Sequence, residues 1–482
     1  MTILDETSET TSTRCSHAGG IVPTSRLVAR LVGEAFRVIE ARPTLALGLV
    51  GTLFATAYLV GVFAFPAPRG RIINGDAIQY YAYLRSAVID HDLDFTNDYK
   101  LLYGSAGEAT NAWLTSRTPV GRPMNLMSVG PAILWAPFYV VSVLLLGAVR
   151  ASPLTGMEPA LQASVGIAGI CYATMGACLS YRACAMLFPR AASFWATVVA
   201  WLGGSAVYYS LVSPTYSHAT SMFAVALFVY AWLRTQDGVG LGRMALLGVL
   251  GGLATLVRWQ DAVVMLLPIV EVARAMRTQR LTTAASLARV VVLGMTAAVT
   301  VSPQLFAWQA IYGTPLLIPQ GGGFMRWSQP AVGSVLFSLR HGLFTWTPAL
   351  LAAAIGLPVL VNRDRWVGWS VVAVLALTVY ANAAAWDWWA GEAFGARRFV
   401  GSVVFFAMGI AAWFATSRLA RRPMAVRWLS LGLVTYNILF LLQYQLFMRG
   451  MVKLVPYPTT ASQVFVDRLW LPFHLVARWL WP

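Results

Sequence analysis

The chain has 482 residues, of which 58% are hydrophobic and only 11% are charged, and its net charge is +16. Soluble domains carry roughly 25% charged residues, so this composition excludes a soluble globular protein and indicates an integral membrane protein. Apolar runs of about 20 residues recur along the chain, each long enough to cross a bilayer as a helix. The sequence predicts an all-α polytopic membrane protein with about ten to thirteen transmembrane helices and no large soluble domain. No basic stripe stands outside the helices, so no nucleic-acid partner is expected.

The chain begins with a polar stretch. Residues 1–43 are predicted to be a disordered cytoplasmic tail, because the first part is rich in Ser and Thr and several arginines follow before the first span, at about 44–65. Positive charge accumulates on the cytoplasmic side of membrane proteins. The next segment, 66–125, is therefore predicted to be the first outer loop.

The predicted first outer loop contains Asp76, directly after Asn74-Gly75. A carboxylate at the mouth of a span has the chemistry of a general base that takes a proton from an acceptor hydroxyl. Asp is also a favoured N-cap, so the alternative is a cap for a helix that begins at Ala77. Residues 76–89 carry Tyr80 and other apolar residues at helical spacing, which predicts a short amphipathic helix on the membrane surface.

Asp90, Asp92 and Asp94 form an alternating acidic run after this helix. Carboxylate oxygens are ligands of divalent cations, so one interpretation of the run is a cation site. The other is a solvated acidic turn, since the contiguous ligand loop of an EF-hand is absent. The sequence leaves a divalent cation open and identifies no other cofactor.

The apolar stretch 126–149 decides the topology of the middle of the chain. If it crosses the membrane fully, residues 213–218 fall on the cytoplasmic side. If it only dips into the membrane or belongs to the outer loops, residues 213–218, Arg258 and Asp261 become external. The positive-inside rule favours this second arrangement. Arg258 and Asp261 lie three apart in apolar sequence, where charges are costly, and the simplest interpretation is an intrahelical pair.

The second half of the chain repeats a pattern of apolar spans and arginine-rich inner loops. Further spans are predicted near 290–312, 342–361, 366–385, 399–417 and 428–447, with outer loops at 313–341 and 386–398. Residues 44–450 are therefore predicted to form one transmembrane domain. The segment 451–482, with clustered Trp, Pro and Tyr, is predicted to be an external interfacial tail.

Four of the arginines in the predicted outer loops, where topology rules disfavour positive charge, are candidates for binding an anion. They are Arg122, Arg340, Arg397 and Arg398. A planar guanidinium donates two hydrogen bonds to a phosphate at once, so the set predicts an anionic ligand at the outer interface. The alternative is ion pairing with the outer acids.

Four further residues are candidates for acceptor or sugar contacts: Tyr80, Asp94, His218 and Trp388. His218 begins a predicted span, where a lone His is more often structural. Trp388 lies in a run of tryptophans that is either a sugar-stacking surface or an aromatic belt at the membrane interface.

The order of several motifs resembles that of the GT-C superfamily of polytopic glycosyltransferases, which includes bacterial aminoarabinose transferases and protein O-mannosyltransferases. The motifs that carry the resemblance lie at 74–76, 80–85, 92–95, 130–137, 340–344 and 394–398. Two departures stand out: Ala77 follows Asp76 where eukaryotic protein mannosyltransferases have an Asp-Glu pair, and His218 stands where some members place a second acid.

The resemblance implies an inverting glycosyltransferase of the bacterial inner membrane whose donor is a polyprenyl-phosphate-linked sugar. It implies that Asp76 is the catalytic carboxylate, that the outer arginines hold the donor phosphate, and that the active site faces the periplasm among membrane lipids. The acceptor is a lipid, a glycan or a protein. The rival prediction is a transporter or flippase for a lipid-linked anion, which needs polar residues at membrane depth. A non-catalytic scaffold is a third.

Overall fold

The computed structural model describes residues 24–65, 72–104, 112–236, 238–391, 393–450 and 457–480. These residues are predominantly helical and contain no strand, only isolated bridges such as Arg117 with Pro123. The chain divides into two units, 1–42 and 43–482, and each is described by itself.

The described residues of the first unit contain one helix, Thr24–Ala41. The sequence predicted a disordered tail over 1–43, and this part of it is instead helical, because its apolar residues recur at the spacing of an amphipathic helix. Residues 1–23 lie outside the described part of the chain.

The second unit confirms the polytopic helical fold. Seven of its described helical segments are long and apolar enough to cross a membrane: Pro43–Ala64, Gly130–Val149, Pro159–Ala185, Thr283–Tyr312, Arg365–Ala384, Arg397–Phe414 and Pro423–Met448. Two shorter apolar segments are Leu241–Val257 and Pro348–Arg363. The predicted span at 191–212 is divided into Arg190–Leu202 and Ala206–Leu211, since Gly203-Gly204 interrupts it and glycine is a poor helix former.

The helices of the second unit run between two opposite faces, which are distinguished by the side chains that meet there. At one face, here called the arginine face, Cys178 contacts the backbone oxygen of Thr44, Arg243 pairs with Glu271, and the Arg274 guanidinium lies over Trp366. At the other, here called the Asp76 face, the three loops that were predicted to be external meet. The Arg363 guanidinium also lies over Phe188, so several of the loops predicted to be internal meet at the arginine face.

Eleven helical segments of the described chain connect these two faces. They are 43–64, 159–185, 190–211, 217–234, 241–257, 259–277, 283–312, 343–363, 365–384, 397–414 and 423–448. Several are short helices in series, such as the 3₁₀ turn Trp259–Met265 followed by Leu266–Arg277. Such breaks leave several of these segments shorter, in one piece, than a helix that crosses a bilayer.

The first loop of the Asp76 face is helical, as predicted. It contains Ala77–Arg85, a π-helical turn Ser86–Asp90, Thr96–Tyr103 and Ala112–Thr115. Residues 66–71 and 105–111 of the predicted loop lie outside the described part.

Helix Gly130–Val149 begins and ends beside this loop. At its start, the side chain of Asn125 donates to the backbone oxygen of Gln79 (2.8 Å). After its end, the Arg85 guanidinium donates to Thr155 O (2.6 Å), and the Gln162 side chain accepts from the backbone N–H of Ile73 (3.2 Å). The stretch 126–149 therefore belongs to the loop assembly on the Asp76 face, which is the second of the two arrangements.

The described C-terminal segment packs along Pro423–Met448. Its helices are Ala461–Phe465 and Asp467–Leu480. Gln443 donates to Gln463 O and Tyr436 donates to Phe465 O, both at 2.9 Å. Trp470 and Phe473 are exposed. The interfacial position of this tail stays a prediction. The remaining helices are Val332–Phe337, Leu343–Trp346, Leu351–Arg363, Arg397–Ser402, Val403–Phe414 and Ser417–Ala420, with a 3₁₀ turn at Pro348–Leu350.

Candidate active site

The centre of the Asp76 face is an ion pair between residues 321 positions apart. Arg397 Nη1 donates to Asp76 Oδ2 at 2.6 Å. The Asp76 side chain is 35% exposed and that of Arg397 15% exposed, so both are reached from this face. Asp76 directly precedes helix Ala77–Arg85 but its side chain makes no capping hydrogen bond. The N-cap alternative is therefore wrong, and the carboxylate is held instead by Arg397.

A tight turn fixes the position of Asp76. Gly75 has φ +56°, a left-handed conformation that glycine adopts without steric cost. An ideal Cβ at this position would lie 2.2 Å from the Tyr216 hydroxyl oxygen, so only glycine leaves room for that ring. Tyr216 in turn lies beneath the Arg397 guanidinium, 6.0 Å from it, which is the outer range of a cation–π contact. The turn thus brings Asp76 and residues 213–218 to the same place.

A chain of hydrogen bonds connects the loop helix to the start of helix Ser217–Arg234. Ser217 Oγ and Tyr80 Oη lie 2.9 Å apart, and Arg258 Nη1 donates to Ser217 Oγ at 3.0 Å. Arg258 Nη2 also approaches Gln260 Oε1 at 3.4 Å. Within the described residues, no carboxylate forms a salt bridge with Arg258. Its positive charge therefore remains available to an anion beside the ion pair.

The predicted intrahelical pair of Arg258 and Asp261 is wrong. A break at Arg258, where helix Leu241–Val257 ends, separates the two side chains. Arg258 binds Ser217, whereas Asp261 accepts a hydrogen bond from Ser221 at 2.6 Å. Arg258 is the functional candidate that sequence reasoning missed. The sequence does carry a signal, since an arginine inside apolar sequence needs a polar partner. The acid nearest in sequence, however, is not that partner.

Arg398 lies next to Arg397 and binds the tryptophan-rich loop. Its Nη2 donates to Asp387 Oδ1 at 2.7 Å and its Nη1 to Asp387 O at 3.2 Å. Gln260 donates to the backbone oxygen of Arg398. Arg397 and Arg398 therefore bind different partners. Arg398 holds the loop 386–389 through Asp387, whereas Arg397 binds Asp76.

Arg340 is brought to the same loop but not to Asp76. Its guanidinium lies 4.5 Å from the Trp389 ring centroid, within cation–π range. The neighbouring His341 binds Trp389 O through Nδ1 at 2.8 Å and Tyr457 through Nε2. Burial is the main reason that the pKa of His341 falls to about 4, and Arg340 and Arg397 lower it further. This imidazole is neutral at physiological pH.

Arg122 and Asp94 form a separate group at the far end of the loop helix. Arg122 Nη1 approaches Leu93 O at 3.4 Å, and Asp94 accepts from the Thr96 hydroxyl at 2.6 Å. The Thr96 hydrogen bond is the main cause of a lowered pKa for Asp94, with smaller contributions from Arg122 and Arg117. The structure therefore joins Asp76 with Arg397 but gives neither Arg122 nor Asp94 a contact with that pair.

The acidic run of the first loop is held by internal hydrogen bonds. Asp90 pairs with Arg85 at 2.5 Å, and Asp92 accepts from Ser86 at 2.6 Å. No group of three His, Cys, Asp or Glu side chains among the described residues has the arrangement of a metal site.

His218 and Trp388, two of the candidates for acceptor or sugar contacts, each pack against other aromatic rings. His218 is buried, and its ring centroid is 4.4 Å from that of Tyr209 and 6.2 Å from that of Tyr216. Its burial and its packing against these two rings favour a structural role. Trp388 is half-buried and packs edge-on against Trp389 at 5.7 Å.

Comparisons with known proteins add a likeness of fold. No protein-family model and no curated protein sequence matches the chain. Among solved structures, it is similar to the crystal structure of ArnT from Cupriavidus metallidurans bound to undecaprenyl phosphate. The two chains are 14% identical, the match covers 89% of this chain and 76% of that chain, and the TM-score is 0.46. A likeness at this level does not decide function.

Proposed function

We propose that the chain is a membrane glycosyltransferase that moves a sugar from a polyprenyl-phosphate donor to an acceptor hydroxyl. The observation that carries the proposal is the 2.6 Å contact of Arg397 with Asp76 on a face that also presents Arg258. An accessible carboxylate supplies a proton acceptor, and guanidinium groups supply a binding site for a phosphate that leaves with its charge. These are the two functions that such a transfer requires.

The reaction follows from these two groups. The acceptor oxygen forms a bond to the anomeric carbon of the donor sugar, and the bond between that carbon and the phosphate oxygen breaks. Polyprenyl phosphate leaves with the electron pair, and the acceptor proton passes to Asp76. A phosphate that binds Arg397 competes with Asp76 for the same guanidinium, so donor binding frees the carboxylate to act as a base. Inversion at the anomeric carbon is implied by the family resemblance.

The charge distribution supports an orientation for this site. We assign the arginine face to the cytoplasm, as the positive-inside rule directs, and the Asp76 face to the periplasmic side of a bacterial inner membrane. The N-terminus is then cytoplasmic. The acceptor, whether lipid, glycan or protein, approaches from outside, and the prenyl chain lies among the membrane lipids.

The test uses the purified chain in liposomes with a radiolabelled polyprenyl-phosphate sugar. General-base catalysis contributes about 10²- to 10⁴-fold, so Asp76→Asn is expected to lower release of polyprenyl phosphate by about that factor while donor binding persists. Arg397→Gln is expected to weaken donor binding. Asp467→Asn, which changes a carboxylate hydrogen-bonded to Ser462 in the C-terminal segment, is the matched control.

The same preparation distinguishes the transporter alternative. A flippase moves the intact lipid-linked sugar between leaflets without breaking the sugar–phosphate bond. Translocation without bond cleavage, insensitive to Asp76→Asn, would overturn the glycosyltransferase proposal.

A further inference from the structure

The tryptophan-rich loop forms a rigid aromatic corner beside the ion pair. Trp386 and Trp388 both stand nearly perpendicular to Trp389, at interplanar angles of 87° and 86° and centroid distances of 5.6 and 5.7 Å. Arg340 stacks on Trp389 at 4.5 Å. The Trp386 side chain is 49% exposed, so the corner is open on one side.

Four hydrogen bonds from separate parts of the chain hold this corner in place. Trp386 N donates to Phe324 O at 2.9 Å, and Trp389 O is bound by His341 at 2.8 Å. Arg398 binds both the side chain and the backbone of Asp387. Tryptophans of an interfacial belt need only the membrane boundary, whereas this loop is tied directly to the residue that follows Arg397.

The indole N–H groups of the corner are not used internally. Within the described residues, none of the three indoles of Trp386, Trp388 and Trp389 donates a hydrogen bond, whereas Trp135, Trp201 and Trp346 each do. The corner thus offers aromatic faces together with unused donors. That combination suits a molecule with an apolar C–H face and a rim of hydroxyl groups, because C–H groups are attracted to the negative ring face and hydroxyls accept from N–H.

We infer that this corner binds the acceptor and that the acceptor is a saccharide, so the chain makes a sugar-to-sugar bond. The inference rests on the proposed function and narrows it. The acceptor sugar stacks in the corner of Trp386 and Trp388, and one of its hydroxyls reaches Asp76 past the Arg398–Asp387 tether. A protein Ser or Thr hydroxyl offers no ring face to such a corner.

The experiment traces where the transferred sugar goes. Envelopes from cells that express the full chain are supplied with the radiolabelled polyprenyl-phosphate sugar. Protease digestion then measures the label on protein, extraction measures the label on simple lipid alcohols, and linkage analysis measures the label on saccharides. We expect the label on a saccharide hydroxyl. Label on protein or on a lipid alcohol would overturn the inference and leave the glycosyltransferase proposal standing, whereas absence of any transfer would remove both.

Variants of the corner supply a second readout. Trp386→Ala and Trp388→Ala are expected to raise the KM for the acceptor at least tenfold without changing the KM for the donor. Trp386→Phe, which keeps a ring but loses the N–H donor, is expected to recover part of the loss. Trp369→Ala, at an exposed tryptophan within span Arg365–Ala384, is the control for loss of a lipid-facing indole. Equal effects at Trp369 and Trp386, or no effect at either, would show an ordinary aromatic belt.

Discussion

Replacement of Gly75 by alanine is expected to disturb the site more than the same change at any unhindered glycine. A methyl group at Gly75 meets the Tyr216 hydroxyl oxygen at 2.2 Å, more than 1 Å closer than the roughly 3.5 Å at which heavy atoms pack. Gly121, in the same loop, also has a positive φ but nothing within 4 Å of a Cβ. Alanine at Gly121 therefore introduces backbone strain alone, whereas alanine at Gly75 introduces both backbone strain and a steric clash with Tyr216.

The magnitudes follow from these two situations. A left-handed conformation costs an alanine roughly 1–2 kcal/mol, which is the full effect expected for Gly121→Ala. Displacement of a packed ring adds about 1–3 kcal/mol at Gly75, because Tyr216 lies between Arg397 and His218 and has little room to move. Gly75→Ala is therefore expected to lower the free energy of unfolding by about 2–5 kcal/mol.

Equilibrium unfolding in SDS–detergent mixtures measures both variants. A double-mutant cycle with Tyr216→Phe isolates the collision, since removal of the hydroxyl should bring the cost of Gly75→Ala down to that of Gly121→Ala. If the cost is unchanged in the Tyr216→Phe background, or if both glycine variants are equally stable, the reasoning about the turn is refuted.

Two further outcomes are expected. Arg85→Gln should loosen the first loop by about 3–5 kcal/mol, since it removes the guanidinium that binds Asp98 at 2.8 Å, Asp90 and Thr155 O and leaves the buried Asp98 uncompensated. Hydrogen exchange over 77–103 that matches the unaltered chain would contradict this. His341 should make the stability of the chain sensitive to acid, because its pKa of about 4 in the folded chain lies below the value of 6.5 in the unfolded chain. Its contribution to the free energy of unfolding, up to about 3 kcal/mol, is complete above pH 6.5 and is lost as the pH falls toward 4. His341→Gln should flatten this part of the pH–stability curve, and an unchanged slope between pH 6.5 and 4 would exclude the role.

The sequence predicted the fold class and two residues of the candidate site, Asp76 and Arg397. Apolar runs and arginine clusters identify spans and sides without tertiary information, and the arrangement they favoured for 126–149 is the one observed. Asp76 and Arg397 are both polar residues at the ends of predicted spans, and they form an ion pair.

Contacts across the face were not predictable in the same way. Arg122 and Arg340, like Arg397, are arginines in loops predicted to be external, where positive charge is disfavoured. They nevertheless lie beside Leu93 and Trp389 and not beside Asp76. The rule gives the side of the membrane but not the position on it, which depends on how the helices pack. Arg258 differs from the prediction for a related reason, because it binds Ser217 whereas Asp261, the nearest acid in sequence, binds Ser221.

The separation of Asp76 from Arg397 has a consequence for biosynthesis. At about 5–20 residues per second, a ribosome needs roughly 15–60 s to synthesise the 321 positions between them. During that interval the nascent chain holds its carboxylate but lacks the guanidinium that completes the pair. Under the proposed function, truncated products that end before Arg397 are therefore expected to be inactive toward lipid-linked sugars.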